Sequence, residues 1–116
     1  MSHNYTELTQ ALNQKLAQLR SAIPDTMQGF SQMAQSALKE DALSFKQKEM
    51  MAMSIAIAMR CQGCLGFHAK ALVKAGCTRA EFLEMVQVAI YMGGGPSVMT
   101  AAEALMAYEE FGGEKE

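Results

Sequence analysis

The chain has 116 residues, enough for one domain with its own apolar core and too few for two. Half of the residues are hydrophobic, only 7% are aromatic, none is Trp, and the bulk comes from Ala, Leu and 11 Met, all good helix formers. A net charge of −2, a pI near 5.7 and no block of like charge exclude a nucleic-acid binder, which needs a basic stripe. Tyr5 to Ala22 carries Leu8, Leu12, Leu16 and Leu19 at helical spacing, with Gln and Lys opposite, and predicts an amphipathic surface helix. Pro24 ends it, and Met27, Phe30, Met33 and Ala37 give a second, weaker periodic stretch. Ser44 to Gln47 is a capping box opening a third helix. That helix is apolar nearly all round from Met50 to Met59, which places it at the centre of the domain or in a subunit interface.

A fourth helix begins near Gln62 and ends at Gly76, a natural left-handed cap. Thr78 to Glu81 is another capping box, starting a fifth helix that runs through Met92. Gly93-Gly94-Gly95-Pro96 then breaks the chain as a tight helix–helix turn, with Pro96 as first residue of a sixth helix ending by Phe111. Gly112 to Glu116 reads as a frayed tail. Val, Ile and Thr never alternate with polar residues over a usable length, so the fold class is all-α. The longest apolar-rich run, Met50 to Met59, is about half of what a membrane-spanning helix needs. The polar start, Met1 to Glu7, lacks the pattern of a signal peptide. A cytoplasmic, reducing compartment is therefore expected, where a CxxC is more often catalytic or metal-binding than structural.

The chemistry concentrates in Cys61-Gln62-Gly63-Cys64, followed four residues later by His68, with Glu49 upstream. Two thiols at this spacing can close a disulfide with little chain movement, and a histidine one turn beyond can take or return the proton that thiolate chemistry demands. On one helix Cys61, Cys64 and His68 would fall within about 60° of one another. Glu49 on the same continuous helix would lie about 18 Å from Cys61. It joins the group only if the chain breaks between two helices, and Gly63 with the polar Arg60 and Gln62 is the natural place. Both cysteines lie near the start of the fourth helix, where dipole and unpaired amides favour a thiolate, so position alone does not say which attacks.

Glu49, Cys61-x-x-Cys64, His68, Lys74-Ala75-Gly76 and the Tyr91-to-Pro96 break, in this order, resemble the AhpD-like alkylhydroperoxidase branch of the carboxymuconolactone decarboxylase family. The likeness runs from about Phe45 to Phe111 and is far more specific than a lone CxxC. It implies an all-helical AhpD-like fold of about six helices, assembling as a homotrimer or homohexamer. By position it makes Cys64 the thiol that attacks peroxide, Cys61 the one that resolves it as a disulfide, His68 the base and Glu49 its partner in proton relay. It further implies a peroxide or disulfide substrate and a dithiol electron donor, lipoyl-bearing or thioredoxin-like; no cofactor or metal is expected, and charge and hydropathy already set aside nucleic acid and membrane. One departure stands out: well-studied peroxidase members carry a histidine just before the second cysteine, where this chain has Gly63.

Other readings compete. The cysteines could be buried apolar thiols, or bind zinc with His68 and a fourth ligand from Glu49 or Cys77, although the tight spacing of zinc modules is missing. Leu65 after Cys64 excludes haem attachment. Glu49 alone would be a solvated first-turn acid, Cys77 a small packing residue, and His3 has no role. The methionines are spread over every helix and read as filler, and the glycine run lacks the phosphate-loop pattern. Three function classes follow: a thiol-dependent oxidoreductase, a decarboxylase-like lyase that needs no dithiol, and a non-catalytic helical oligomer.

Overall fold

The computed structural model describes residues 4–116, so His3 lies outside the described residues. Six helices follow one another: α1 (Tyr5–Ala22), α2 (Pro24–Leu38), α3 (Phe45–Met59), α4 (Gln62–Lys74), α5 (Arg79–Gly93) and α6 (Gly95–Glu110), with no strand among the described residues. Each boundary has a local cause. Ser44 and Thr78 close complete capping boxes with Gln47 and Glu81 at the starts of α3 and α5. Ile23 alone separates α1 from α2, and Pro24 opens α2 as well as ending α1, because an N1 proline has no amide to leave unpaired. Gly94 is the single residue between α5 and α6, with φ 73° and ψ −156°, a region open to glycine alone. Pro96 is accordingly the second residue of α6.

Helix α3 packs on α4, α5 and α6, and the core between them is built from Met53, Ile57, Leu65, Leu72, Phe82 and Tyr108. The Phe82 and Tyr108 rings stack with centroids 4.5 Å apart. The all-round apolar character of α3 resolves into two faces. Met53, Ala56 and Ile57 enter the core, whereas Met51, Ile55 and Met59 are exposed.

Helix α1 lies along α4 through two glycines. A Cβ at Gly63 would sit 2.9 Å from Leu12 Cδ1, and one at Gly66 would sit 2.7 Å from Thr9 Cγ2. The far end of α6 fastens the start of α1: the Glu110 carboxylate accepts from the amides of Tyr5 (3.0 Å) and Thr6 (2.7 Å) and from the Thr6 hydroxyl (2.7 Å). Partial desolvation raises the Glu110 pKa, but these three donors outweigh it and hold the group below the usual carboxylate range. Among the described residues, helix α2 touches only α1 and α3 and buries none of its residues.

The expected frayed tail is a correction. Gly113 N–H donates to Tyr108 O, Glu114 N–H to the Tyr108 hydroxyl, and the Glu114 carboxylate accepts from Arg79 N–H at 2.7 Å. Residues 112–114 are therefore docked, and only the last two lie beyond these bonds. Periodicity carries no sign of this: the tail is held by backbone groups and by Arg79, not by apolar spacing.

Candidate functional site

The break that the motif requires falls at Arg60 and Cys61, at the near edge of the expected Arg60-to-Gly63 stretch and not at Gly63 itself. Helix α3 ends at Met59, Arg60 takes a left-handed conformation (φ 57°, ψ 47°), and α4 starts at Gln62 with Cys61 as its N-cap. Arg60 N–H donates to Ile57 O at 3.2 Å and Cys61 N–H to Ala56 O at 3.1 Å, the paired bonds of a Schellman cap. Gly63 sits inside the first turn of α4. Its small size serves the close approach of Leu12.

Cys61 thus closes α3 with its amide and opens α4 with its sulfur, which accepts the Cys64 N–H at 3.2 Å. The two cysteines are joined as a disulfide, with Cα atoms 5.2 Å apart. Both are part-buried, so the bond lies at the surface of the fold without being fully open. Because Cys61 is a cap and not a helical residue, the shared-face geometry holds only for Cys64 and His68, which are i and i+4 neighbours on α4 with Cβ atoms about 5–6 Å apart.

The reversal at Arg60 lays α4 back against α3 and brings Glu49 to His68. Their Oε1 and Nδ1 atoms are 2.6 Å apart, with the Glu49 side chain 4% exposed and that of His68 28% exposed. Glu49 is in the second turn of α3 and buried, which removes the solvated first-turn reading. A buried carboxylate accepting Nδ1–H fixes the imidazole's orientation and tautomer, leaving Nε2 as the nitrogen that exchanges protons. The structure therefore gathers Glu49, Cys61, Cys64 and His68 in one place.

Cys77 stands apart. It is 5% exposed, free, and its thiol donates to the Thr78 carbonyl at 3.6 Å. Burial, with the Glu81 carboxylate adding to it, pushes its thiol up to about 11. It is the packing residue the sequence suggests. Among the described residues no three His, Cys, Asp or Glu side chains form a metal-holding group. Among them, too, no helix is long and apolar enough to cross a membrane. What the sequence does not reveal is the left-handed Arg60; the signal is an arginine in the position after a helix end, where glycine is the usual residue.

Fold and site together define the class: the chain belongs to the Carboxymuconolactone decarboxylase family, whose profile matches residues 24–107. It is similar to the crystal structure of an apo carboxymuconolactone decarboxylase family protein from Legionella pneumophila. That likeness has a TM-score of 0.92 at 50% identity and covers 95% of this chain and 98% of the other. It is also 31% identical over 104 residues to an uncharacterised protein of Cupriavidus necator, covering 90% of this chain and 91% of that one. A third relative, uncharacterised protein 4 in the cox locus of Paracoccus denitrificans, is 26% identical over 84 residues, or 72% of this chain and 76% of its own length.

Proposed function

We propose that this chain is a thiol-dependent oxidoreductase that reduces peroxides through Cys64 and Cys61. The observation that carries the reading is the buried Glu49 bonded to His68, one turn below a CxxC disulfide at a helix start. In the reduced enzyme His68 Nε2 takes the Cys64 proton, directly or through water, while Glu49 stabilises the imidazolium. The Cys64 thiolate attacks one peroxide oxygen and the O–O bond breaks. The leaving alkoxide takes the proton from His68 and departs as an alcohol, leaving Cys64 as a sulfenic acid. Cys61 sulfur then attacks the Cys64 sulfur, hydroxide leaves as water after protonation, and the disulfide forms. A dithiol donor, lipoyl-bearing or thioredoxin-like, returns two electrons and closes the cycle. The lyase reading uses neither thiol, and nothing in the site favours it.

The working unit in this proposal is a homotrimer or homohexamer. Phe30 and Met33 on α2 are 61% and 60% exposed, and Met59, Met92 and Met99 are 66–74% exposed. Apolar surface on this scale marks an interface. Light scattering that returned the 12.6 kDa monomer mass at micromolar concentration would reject it.

The decisive test is peroxide consumption with an organic hydroperoxide and a dithiol donor, measured on wild type, Cys61→Ser and Cys64→Ser. Cys61→Ser should complete one oxidation, give a sulfenic acid trappable at Cys64, and stop. Cys64→Ser should do neither. Full activity in the double mutant would overturn the reading and hand the site to the lyase class.

A further inference from the structure

The chain builds the same helix-ending turn three times. At the end of α3 the left-handed residue is Arg60, followed by Cys61 bonded to Ala56 O. At the end of α4 it is Gly76 (φ 81°), followed by Cys77 bonded to Leu72 O. At the end of α6 it is Gly112 (φ 100°), followed by Gly113 bonded to Tyr108 O. Glycine serves wherever only the turn is needed, because it has no Cβ to clash. Arg60 is the one non-glycine residue with positive φ among the described residues, and it precedes the redox cap. A side chain kept in a conformation that penalises it calls for a use of that side chain. Arg60 is exposed, and among the described residues no carboxylate forms an ion pair with it.

The charges around the cap define what that use is. Helix α3 contributes the Glu49 carboxylate, already bonded to His68 of α4, and α6 contributes Glu103, which accepts from Gln62 at 3.0 Å. Helix α1 brings Leu12 to the first turn of α4, with Lys15 bonded to Gln18 on its own surface. Glu49 and Glu103 are thus each engaged by a neighbouring side chain. Arg60, one residue from Cys61, supplies a cation that no carboxylate among the described residues pairs with. The two sulfurs are also served differently: the Cys61 sulfur receives the Cys64 amide, whereas Cys64 is i−4 to His68.

We propose that Arg60 is a positioning residue that stabilises Cys61 as a thiolate, making Cys61 the sulfur that leaves when the disulfide opens. The inference rests on the dithiol reading above. A donor thiolate attacks Cys64 sulfur, the Cys61–Cys64 bond breaks, and its electron pair departs on Cys61, held by the Cys64 amide and the Arg60 charge. The donor's second thiol, as thiolate, attacks the mixed disulfide, leaving oxidised donor and a Cys64 thiolate that recovers its proton through His68. A better leaving thiolate leaves faster. The same charge readies Cys61 to attack the Cys64 sulfenic acid, so the two thiols divide the work: cap and cation for Cys61, histidine and glutamate for Cys64.

Two measurements that use no peroxide test this. The first follows iodoacetamide labelling of Cys61 against pH in reduced Cys64→Ser protein carrying Arg60→Lys, Arg60→Gln or Arg60→Gly. Arg60→Lys should retain the wild-type profile, while Arg60→Gln and Arg60→Gly should both move the Cys61 transition upward by roughly half a unit to one unit. The second opens the native disulfide with a monothiol, quenches in acid, and maps the first adduct by mass spectrometry. The adduct should sit on Cys64, and Arg60→Gln should slow its formation roughly 3-fold to 10-fold, following the leaving-group dependence of exchange. An unmoved Cys61 transition in Arg60→Gln, or a first adduct on Cys61, overturns the proposal. Loss of peroxidase activity in wild type with these two results intact would instead overturn only the peroxide reading.

Discussion

The α3–α4 and α4–α5 junctions are the same piece of backbone with opposite chemistry. Each ends a helix with a left-handed residue and puts a cysteine next, its amide bonded five residues back. At the first junction that cysteine is itself the cap of the following helix and meets Cys64 across one turn. At the second the capping duty passes to Thr78, and Cys77 turns inward beneath the docked tail, with its thiol pushed up to about 11. The two environments differ through a one-residue difference in where the next helix begins. A cysteine at the cap faces amides and solvent, and one position before the cap it faces the core.

The largest expected contrast comes from exchanging thiols for hydroxyls at the two junctions. Cys64→Ser should abolish peroxide turnover, whereas Cys77→Ser should leave turnover intact and cost about 1 kcal/mol of stability, read by denaturant unfolding. Next comes the proposed proton relay at the first junction, the His68–Glu49 pair. His68→Ala should slow thiolate formation at Cys64 by roughly 10²–10⁴-fold, and Glu49→Gln should act in the same direction at the low end of that range; stopped-flow oxidation measures both. A backbone test has opposite signs at the two turns. Gly76→Ala should destabilise by about 1 kcal/mol, because alanine meets the left-handed penalty. Arg60→Gly should stabilise by about 0.5–1 kcal/mol, that penalty less the extra freedom of glycine in the unfolded chain. A further contrast is alkaline. The Cys77 thiol is raised from its ordinary 9.0 to about 11, so burial favours its neutral form. Its stabilising contribution is full below pH 9 and is lost as pH rises through 11. Unfolding followed across that window in wild type and Cys77→Ala should show a decline in the first that is shallower in the second.

Much of this arrangement is legible in the amino-acid sequence. The span of α1, both capping boxes, Gly76 and the glycine break before α6 are local signals, each written within three or four residues. The gathering of Glu49, Cys61, Cys64 and His68 is legible only as a conditional, that a break must fall between Glu49 and the thiols. The residue carrying the break is less legible, because Gly63 and Arg60 compete for it. Glycine is the usual left-handed residue, but Gly63 is needed by Leu12 of α1, a contact about fifty positions away in sequence. The burial of Glu49 and the docking of residues 112–114 also depend on partners distant along the chain, and no short window of sequence contains both sides of such a contact.

The bond from Glu110 to the amides of Tyr5 and Thr6 has a topological consequence. It brings the start of α1 and the end of α6 to the same spot. A short flexible link between the two, with new ends cut into the exposed segment 39–43 between α2 and α3, would reorder the chain without interrupting α3 through α6. The dithiol, its histidine and its glutamate would then all lie in the first half of the permuted sequence. Activity of such a permutant would show that the site is made by the α3–α4 reversal and its packing, independent of the order in which the helices are joined.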